Sequence, residues 1–132
     1  MQRAMETLEG LFHEKILLHQ DLVECLKRES DALIKTDMDA LWEIADEKQS
    51  VVSRIEALRE KILAALSEAA IDHRMDTLSF DLAHAYSLIP RAHRKGFKKA
   101  YFSLVSLKGE VRRRSRENRL FIEECLNFLD EL

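Results

Sequence analysis

The chain has 132 residues and a formal net charge of −3 at pH 7, and 46% of its residues are hydrophobic against 34% charged. Only three glycines and one proline interrupt it, which predicts few turns and long helices. This composition excludes sandwiches, barrels and doubly wound sheets, and it is too hydrophobic for intrinsic disorder. We therefore expect a single all-α domain over residues 1–132.

The N-terminus and the cysteines indicate the compartment. Charged residues, among them Glu6, Glu9 and Lys15, interrupt the N-terminal apolar positions, so no secretory signal is expected. No stretch is long and apolar enough for stable membrane insertion. Cys25 and Cys125 lie far apart with no CxxC spacing. These features together predict a cytoplasmic protein with reduced thiols.

The first helix is predicted over residues 3–34. Its apolar positions alternate at spacings of three and four, which is typical of one buried helix face. Thr36 and Asp37 then supply a turn and an N-cap for the next helix. The stripe consists of Leu8, Leu11, Leu18, Leu22, Cys25 and Ala32, with Lys15 and Glu29 at the skipped positions.

The second helix is predicted over residues 38–70, with the same alternation along a coiled-coil seam. Because only two or three residues connect the helices, they must form a long antiparallel hairpin. Trp42 lies one position off the seam, where partial burial is expected. The seam consists of Leu41, Ile44, Lys48, Val51, Ile55, Leu58, Ile62, Ala65 and Ala69.

A short helix over residues 76–88 and a long last helix over residues 91–130 complete the predicted elongated bundle. Pro90 separates the two, since the residue before a proline is disfavoured in the α region. The last helix carries a main stripe and a second apolar line beside it. The main stripe is Phe97, Tyr101, Leu104, Lys108, Val111, Ser115, Asn118, Ile122, Cys125, Leu129 and Leu132, and the second line is Phe102, Val105, Phe121 and Phe128.

Charge is divided unevenly along the chain. Residues 91–119 contain eleven Lys or Arg against two acids, a net charge of +9, and the remainder carries −12. A basic helix of this kind could contact nucleic-acid phosphates. We favour the alternative, in which it lies against the acidic helices of its own bundle, because no aromatic residues are interleaved with the arginines for base stacking. No nucleic-acid partner is therefore expected.

No catalytic motif is recognisable, and neither a metal nor a cofactor is expected. Asp72, His73, Asp76, Asp81 and His84 cluster in sequence, but without metal-ligand spacing they are more typical of a solvated loop with capping acids.

Histidine phosphotransfer is an alternative function. Ala92-His93-Arg94-Lys95-Gly96 resembles the signature of phosphotransfer domains, which are helical bundles of similar size. There the lysine and glycine follow the histidine by three and four positions. Here they follow by two and three, which turns Lys95 about 200° around the helix from His93. An exposed histidine near a helix start is the favoured interpretation.

Three charged residues, Lys15, Glu29 and Lys48, fall on the apolar stripes of the hairpin. Long side chains at such positions commonly extend to solvent or pair with a facing acid. We expect the same here rather than a functional site.

The hairpin resembles the FlgN-type flagellar export chaperones. The first helix ends Glu29-Ser-Asp-Ala-Leu33, a Lys-Thr-Asp turn follows, and the second helix opens Met38-Asp-Ala-Leu-Trp-Glu-Ile44. Glu47-Lys48 and a long Val/Ile/Leu seam through Arg59 continue the resemblance.

The last helix carries a second block of the resemblance. It consists of Glu117-Asn118 followed by Phe121, Ile122, Leu126 and Leu129. The family often has two asparagines three apart on this helix. This sequence has Ser115 in place of the first and Asn118 as the second.

The resemblance implies a cytoplasmic chaperone with no enzymatic activity. Such chaperones hold flagellar hook-associated (hook–filament junction) proteins unassembled and deliver them to components of the flagellar type III export gate. Elongated helices suit that role, because they offer a partner's amphipathic helix a large apolar surface.

The cargo-binding groove is predicted near the C-terminus. Phe121, Ile122, Cys125, Phe128 and Leu129 would cover more than one packing face of a lone bundle. The alternative is that the domain's own core, or a second copy of the chain in a homodimer, covers them. The sequence does not decide between the two. Arg112, Arg113 and Arg116, just before this segment, are candidates for electrostatic contact with an acidic partner.

Overall fold

The computed structural model describes residues 2–131 and contains four helices in this part of the chain. They are α1 (Gln2–Lys35), α2 (Met38–Glu68), α3 (Leu82–Leu88) and α4 (Arg91–Glu131). The central helix is α1, which packs against both α2 and α4, whereas α3 contacts α4. The expected all-α architecture is confirmed. No helix within residues 2–131 has the length and apolar content needed to cross a bilayer.

The hairpin turn forms without glycine. Thr36 adopts a left-handed φ of 54°. The Asp37 N–H donates to the Ala32 carbonyl at 2.9 Å and the Thr36 N–H to the Leu33 carbonyl at 3.2 Å, the bonding pattern of a Schellman helix end. The Asp37 carboxylate then accepts from the Ala40 N–H and caps α2. The predicted turn and N-cap are both present.

The segment after α2 differs from the prediction. The second helix ends at Glu68 rather than residue 70, because Ala70 turns left-handed with a φ of 61°. The third helix begins at Leu82 rather than residue 76. The Asp76 carboxylate accepts from the N–H groups of Leu78 and Ser79, which closes a local turn in place of a helical one.

Contacts around α3 attach it to α4. Arg94 donates from its guanidinium to the Ile89 and Ser87 carbonyls, which satisfies the end of α3. The rings of Tyr86 and Tyr101 stack with centroids 4.2 Å apart. These bonds fix the sharp reversal around Pro90 and start α4 beside the N-terminal half of α1.

The buried residues form one large cluster at the α3 end of the bundle and smaller ones toward the hairpin turn. Phe12 of α1 meets Phe97 of α4 edge-to-face, with ring centroids 5.2 Å apart. The seam positions predicted for α2 from Val51 to Ala69 are all buried. By contrast, Trp42 is 70% exposed, so the partial burial expected for it is wrong.

Lys15 neither reaches solvent nor pairs with an acid, contrary to expectation. It is 3% exposed, and its Nζ lies 5.6 Å from the centroid of the Phe80 ring. No carboxylate of residues 2–131 forms an ion pair with it. Burial, together with the positive charges of Lys108 and Arg59, lowers the pKa of Lys15 to about 8.

Glu29 joins three helices with one carboxylate. Its Oε2 accepts from Lys48 Nζ of α2 at 2.6 Å, as expected for a lysine facing an acid on the seam. Its Oε1 accepts from Asn118 Nδ2 of α4 at 2.8 Å. The same Nδ2 donates to the Leu26 carbonyl at 3.1 Å. Asn118 is buried, and this junction therefore fixes α4 against the hairpin at one level of the bundle.

Replacing Asn118 by alanine should lower the free energy of unfolding by about 2 kcal/mol, because a mostly buried carboxylate loses a donor. Urea denaturation followed by circular dichroism measures this change. Ser115→Ala is the control, since Ser115 is an exposed residue one turn earlier on the same helix. A loss for Asn118→Ala no larger than that for the control would contradict the junction's role.

Replacing Lys15 by methionine should stabilise the protein at pH 7. The pKa of Lys15 is about 8 when folded against an ordinary 10.5, so the unfolded chain binds the proton more readily and charged Lys15 destabilises the fold. The penalty, about 3 kcal/mol, is complete below pH 8 and is largely lost by pH 10.5.

The measurement is the difference in unfolding free energy between Lys15→Met and wild type, taken from pH 7 to 10.5 in buffers without phosphate or sulfate. The difference should shrink across that window. Other lysines titrate equally in both proteins and cancel. A difference that stays constant with pH would show that Lys15 is not held in this environment.

Candidate protein-binding surface on the last helix

One face of α4 packs against α1 over most of the bundle. Phe97, Leu104, Val111 and Asn118, spaced by seven residues, form its centre, and all are buried or half-buried. A seven-residue repeat keeps side chains on one side of a helix that supercoils with its partner. This face is therefore the side of α4 that packs against a neighbouring helix.

Burial of this face by the rest of the bundle ends after Asn118. Every residue from 119 to 131 is exposed, although α4 continues without a break to Glu131. The exposed part of α4 spans about 20 Å at 1.5 Å per residue. The last 13 described residues of α4 thus form a helical extension that the rest of the bundle does not bury.

The exposed extension keeps the packing pattern of the buried part. Cys125 follows Asn118 by seven residues, and Ile122 and Leu129 continue the line of Tyr101 and Lys108. Phe121 and Phe128 fall seven and fourteen residues after half-buried Arg114, on the line of buried Ala100. We call the exposed set the apolar C-terminal face: Phe121, Ile122, Cys125, Phe128 and Leu129.

The apolar C-terminal face contains a shallow depression of about 350 Å³. Its lining is Phe121, Glu124, Cys125, Phe128 and Leu129. All five predicted groove residues are exposed, so the domain's own core, as described for residues 2–131, does not cover them. Leu120 and Leu126, which the prediction omitted, are also exposed and widen the apolar surface. The binding role of these residues stays a prediction.

The predicted electrostatic residues lie immediately before this face. Arg112, Arg113 and Arg116 are exposed and line a depression of about 390 Å³ together with Glu117 and Leu120. Leu120 thereby joins the arginines to the apolar surface.

The charge pairing differs from the expectation that α4 would pair with the acidic helices. The ion pairs of α4 within residues 2–131 are internal to the helix: Arg113 with Glu117, Arg114 with Glu110 and Arg119 with Glu123. Arg112 and Arg116 take part in none of the ion pairs of the described residues. Although α4 packs on α1, Arg112, Arg113 and Arg116 are therefore exposed to solvent and do not face the acidic helices.

The two thiols have different environments. Cys25 is buried in α1 and Cys125 is exposed on α4, and the two are not bonded to each other. Cys25 packs near the hairpin turn with Ala32 and Ile44, as a small hydrophobic residue does. Cys125 instead contributes to the apolar C-terminal face.

The residues considered for metal binding have local structural roles. Asp76 closes a local turn and Asp81 caps the start of α3. His73 forms hydrogen bonds with the Ser67 hydroxyl and the Met75 N–H. Among residues 2–131, no group of three His, Cys, Asp or Glu side chains is placed to hold a metal ion. His93 lies in the first turn of α4, where its N–H donates to the Pro90 carbonyl.

The family comparison agrees with this geometry. The FlgN protein family model matches residues 1–132, the full length of the chain. The chain belongs to the FlgN family. FlgN proteins are the flagellar export chaperones for hook-associated proteins, they are not enzymes, and they act in the cytoplasm. No curated protein and no solved structure shows significant similarity to the chain.

Membership in the FlgN family confirms the resemblance read from the hairpin and from the Glu117-Asn118 block. The family function is that of an export chaperone, which supports the chaperone interpretation over the phosphotransfer alternative at His93. The structure gives Asn118 a role that the sequence did not reveal. Its side chain holds α4 to Glu29 at the last level where the FlgN bundle covers this helix.

Proposed function

We propose that the apolar C-terminal face binds an amphipathic helical segment of a hook-associated protein. The observation that carries this proposal is that the packing face of α4 continues beyond Asn118 at unchanged spacing while the cover from α1 ends. A partner helix with an apolar stripe would supply the missing neighbour in the geometry that the rest of α4 already uses.

The energetics favour such a partner. Three large side chains, Phe121, Phe128 and Leu129, are exposed along with Ile122. Burying a side chain of this size contributes about 1.5–3 kcal/mol. A few such residues therefore suffice for specific binding after the entropic cost of association. We infer that a cargo helix held here is kept from assembling and is carried through the cytoplasm to the export gate.

The arginines beside the face give the complex its electrostatic component. Arg112 and Arg116 have no acidic partner in the described part of the chain, and they lie within three turns of Phe121. Exposed charges of this kind chiefly raise the association rate with an oppositely charged partner. We therefore propose that the cargo segment, or the export gate, presents acidic residues to this end of the face.

A second copy of the chain is the competing occupant. Two apolar C-terminal faces could pair as a symmetric dimer, since the face has the spacing of a coiled-coil seam. The two occupants would compete for the same residues. Sedimentation of the free chain and of its cargo complex separates them, because a face used for cargo leaves one chaperone in each complex.

Replacing Phe128 by aspartate should abolish cargo capture and leave far-UV helicity unchanged, because the substitution places a charge where the cargo's apolar stripe must lie. Calorimetric titration with a hook-associated protein measures the affinity, and we expect a loss of at least about 30-fold. Phe121→Asp should act in the same way.

The control is Phe102→Asp, an identical change on the same helix at a residue of similar exposure, 56% against 62% for Phe128. It should bind cargo as the wild type does. Equal losses in both variants would show that the apolar C-terminal face is not the binding surface. Loss of helicity in Phe128→Asp would place the residue in the core.

Reversing the charge of both Arg112 and Arg116 to glutamate should slow cargo association about tenfold at low salt and have little effect at high salt. Stopped-flow mixing at several ionic strengths measures the rates. The matched control changes Arg91 and Lys98 to glutamate, which alters the net charge of the chain equally near the other end of α4. Equal slowing in both variants would assign the effect to net charge alone.

A further inference from the structure

Three basic side chains, buried Lys15 and half-buried Arg59 and Lys108, lie near one another in the bundle, well away from the apolar C-terminal face. Lys15 of α1 is the most buried of them at 3% exposure, Arg59 comes from α2 and Lys108 from α4. None of the three takes part in the ion pairs of the described residues. A buried charge in a protein is ordinarily paired or neutralised, so the unpaired Lys15 beside other cations is unusual.

The segment between α2 and α3 contributes the rest of the surroundings. Phe80 lies close to two of the cations, with its ring centroid 5.6 Å from Lys15 Nζ and 5.9 Å from Arg59 Cζ. Arg59 also donates from Nη1 to the Thr77 carbonyl at 3.3 Å. The cations therefore have an aromatic face and one carbonyl near them.

One donor of the cluster is left without any partner. Arg59 Nε is buried and has no hydrogen-bond acceptor in the described part of the chain. Next to Lys15 on α1, the His19 Nδ1–H donates to the Lys15 carbonyl at 2.8 Å, so this nitrogen is occupied. An unpaired guanidinium N–H, on an arginine that shares the Phe80 ring with a buried lysine, is a donor that an oxyanion can satisfy.

We propose that Lys15, Arg59 and Lys108 form a binding site for a small oxyanion of the phosphate or carboxylate type. The anion accepts hydrogen bonds from Arg59 Nε and from the two ammonium groups, and it neutralises their mutual repulsion. Because the three cations belong to α1, α2 and α4, the bound anion links all three helices. Because Arg59 also donates a hydrogen bond to the Thr77 carbonyl, the anion stabilises the segment that leads into α3 as well.

The charges facing the site are consistent with its having a net positive field. Besides burial, which is the largest cause in both lysines, Lys108 and Arg59 lower the pKa of Lys15, and Arg112 lowers the pKa of Lys108. Asp81, at the N-terminus of α3, is the one acid with an opposing effect on Lys108. An anion would reverse these effects and return both lysines toward their ordinary pKa.

Thermal unfolding of the full chain at pH 7 tests the proposal, with inorganic phosphate or acetate replacing chloride at constant ionic strength. Wild type should show a rise in Tm that saturates, by roughly 3 °C or more, with one of the two anions. A saturable rise with phosphate identifies a phosphate-type oxyanion as the ligand. A saturable rise with acetate alone identifies a carboxylate. Saturation with neither overturns the proposal.

Variants separate a site from a general solvent effect, since phosphate stabilises many proteins without binding them. Lys15→Met and Arg59→Gln should each lose the saturable rise. Lys61→Met, which removes an exposed lysine of α2, should retain it. A rise that is the same in all four proteins, or that persists in Lys15→Met, would rule out the site.

Discussion

The carboxylate of Glu29 accepts hydrogen bonds from Lys48 of α2 and Asn118 of α4, and the arrangement of the molecule depends on that junction. Between this junction and α3, α4 packs on α1 through Phe97 and Leu104 in a continuous core. Beyond it, the same helix continues with the same apolar spacing and no cover. One helix thus serves as a structural element over its first two-thirds and offers an unfilled packing face over its last third.

This division suits a FlgN chaperone, which must hold a partner without assembling with it permanently. A helix that is already folded and anchored presents its apolar residues in register, so the chaperone itself pays little ordering entropy on binding. In the proposed complex the cargo helix would provide the missing neighbour, and its release would leave a bundle whose core is intact. The outward-facing Arg112 and Arg116 would speed the encounter without contributing to the core.

The long elements followed from the sequence because periodicity reports which side of a helix is buried. The hairpin, its turn at Thr36 and the seam of α2 were predicted on that basis and are present. The start of α3 was not, because the Asp76 carboxylate accepts two backbone N–H bonds and stabilises a turn where the apolar spacing favoured helix. Lys15 was also misjudged, since its neighbours Arg59 and Lys108 come from distant parts of the chain.

The extent of the candidate surface could not be predicted for a related reason. Phe97 and Leu104 are buried and Cys125 is exposed, yet all three occupy the same line of a single seven-residue pattern. Periodicity identifies a packing face but not whether the fold supplies a neighbour for it. That depends on how far along its length α4 stays packed on α1, which only the three-dimensional arrangement reveals.

Amide hydrogen exchange of α4, with and without a bound hook-associated protein, tests the central claim most directly. In the free chain, residues 97–118 should be protected and residues 119–131 should exchange much faster, because only the former have tertiary cover. Cargo should protect residues 119–131 and leave residues 97–118 unchanged. Strong protection of 119–131 in the free monomer, or cargo-induced protection confined to other helices, would contradict the account.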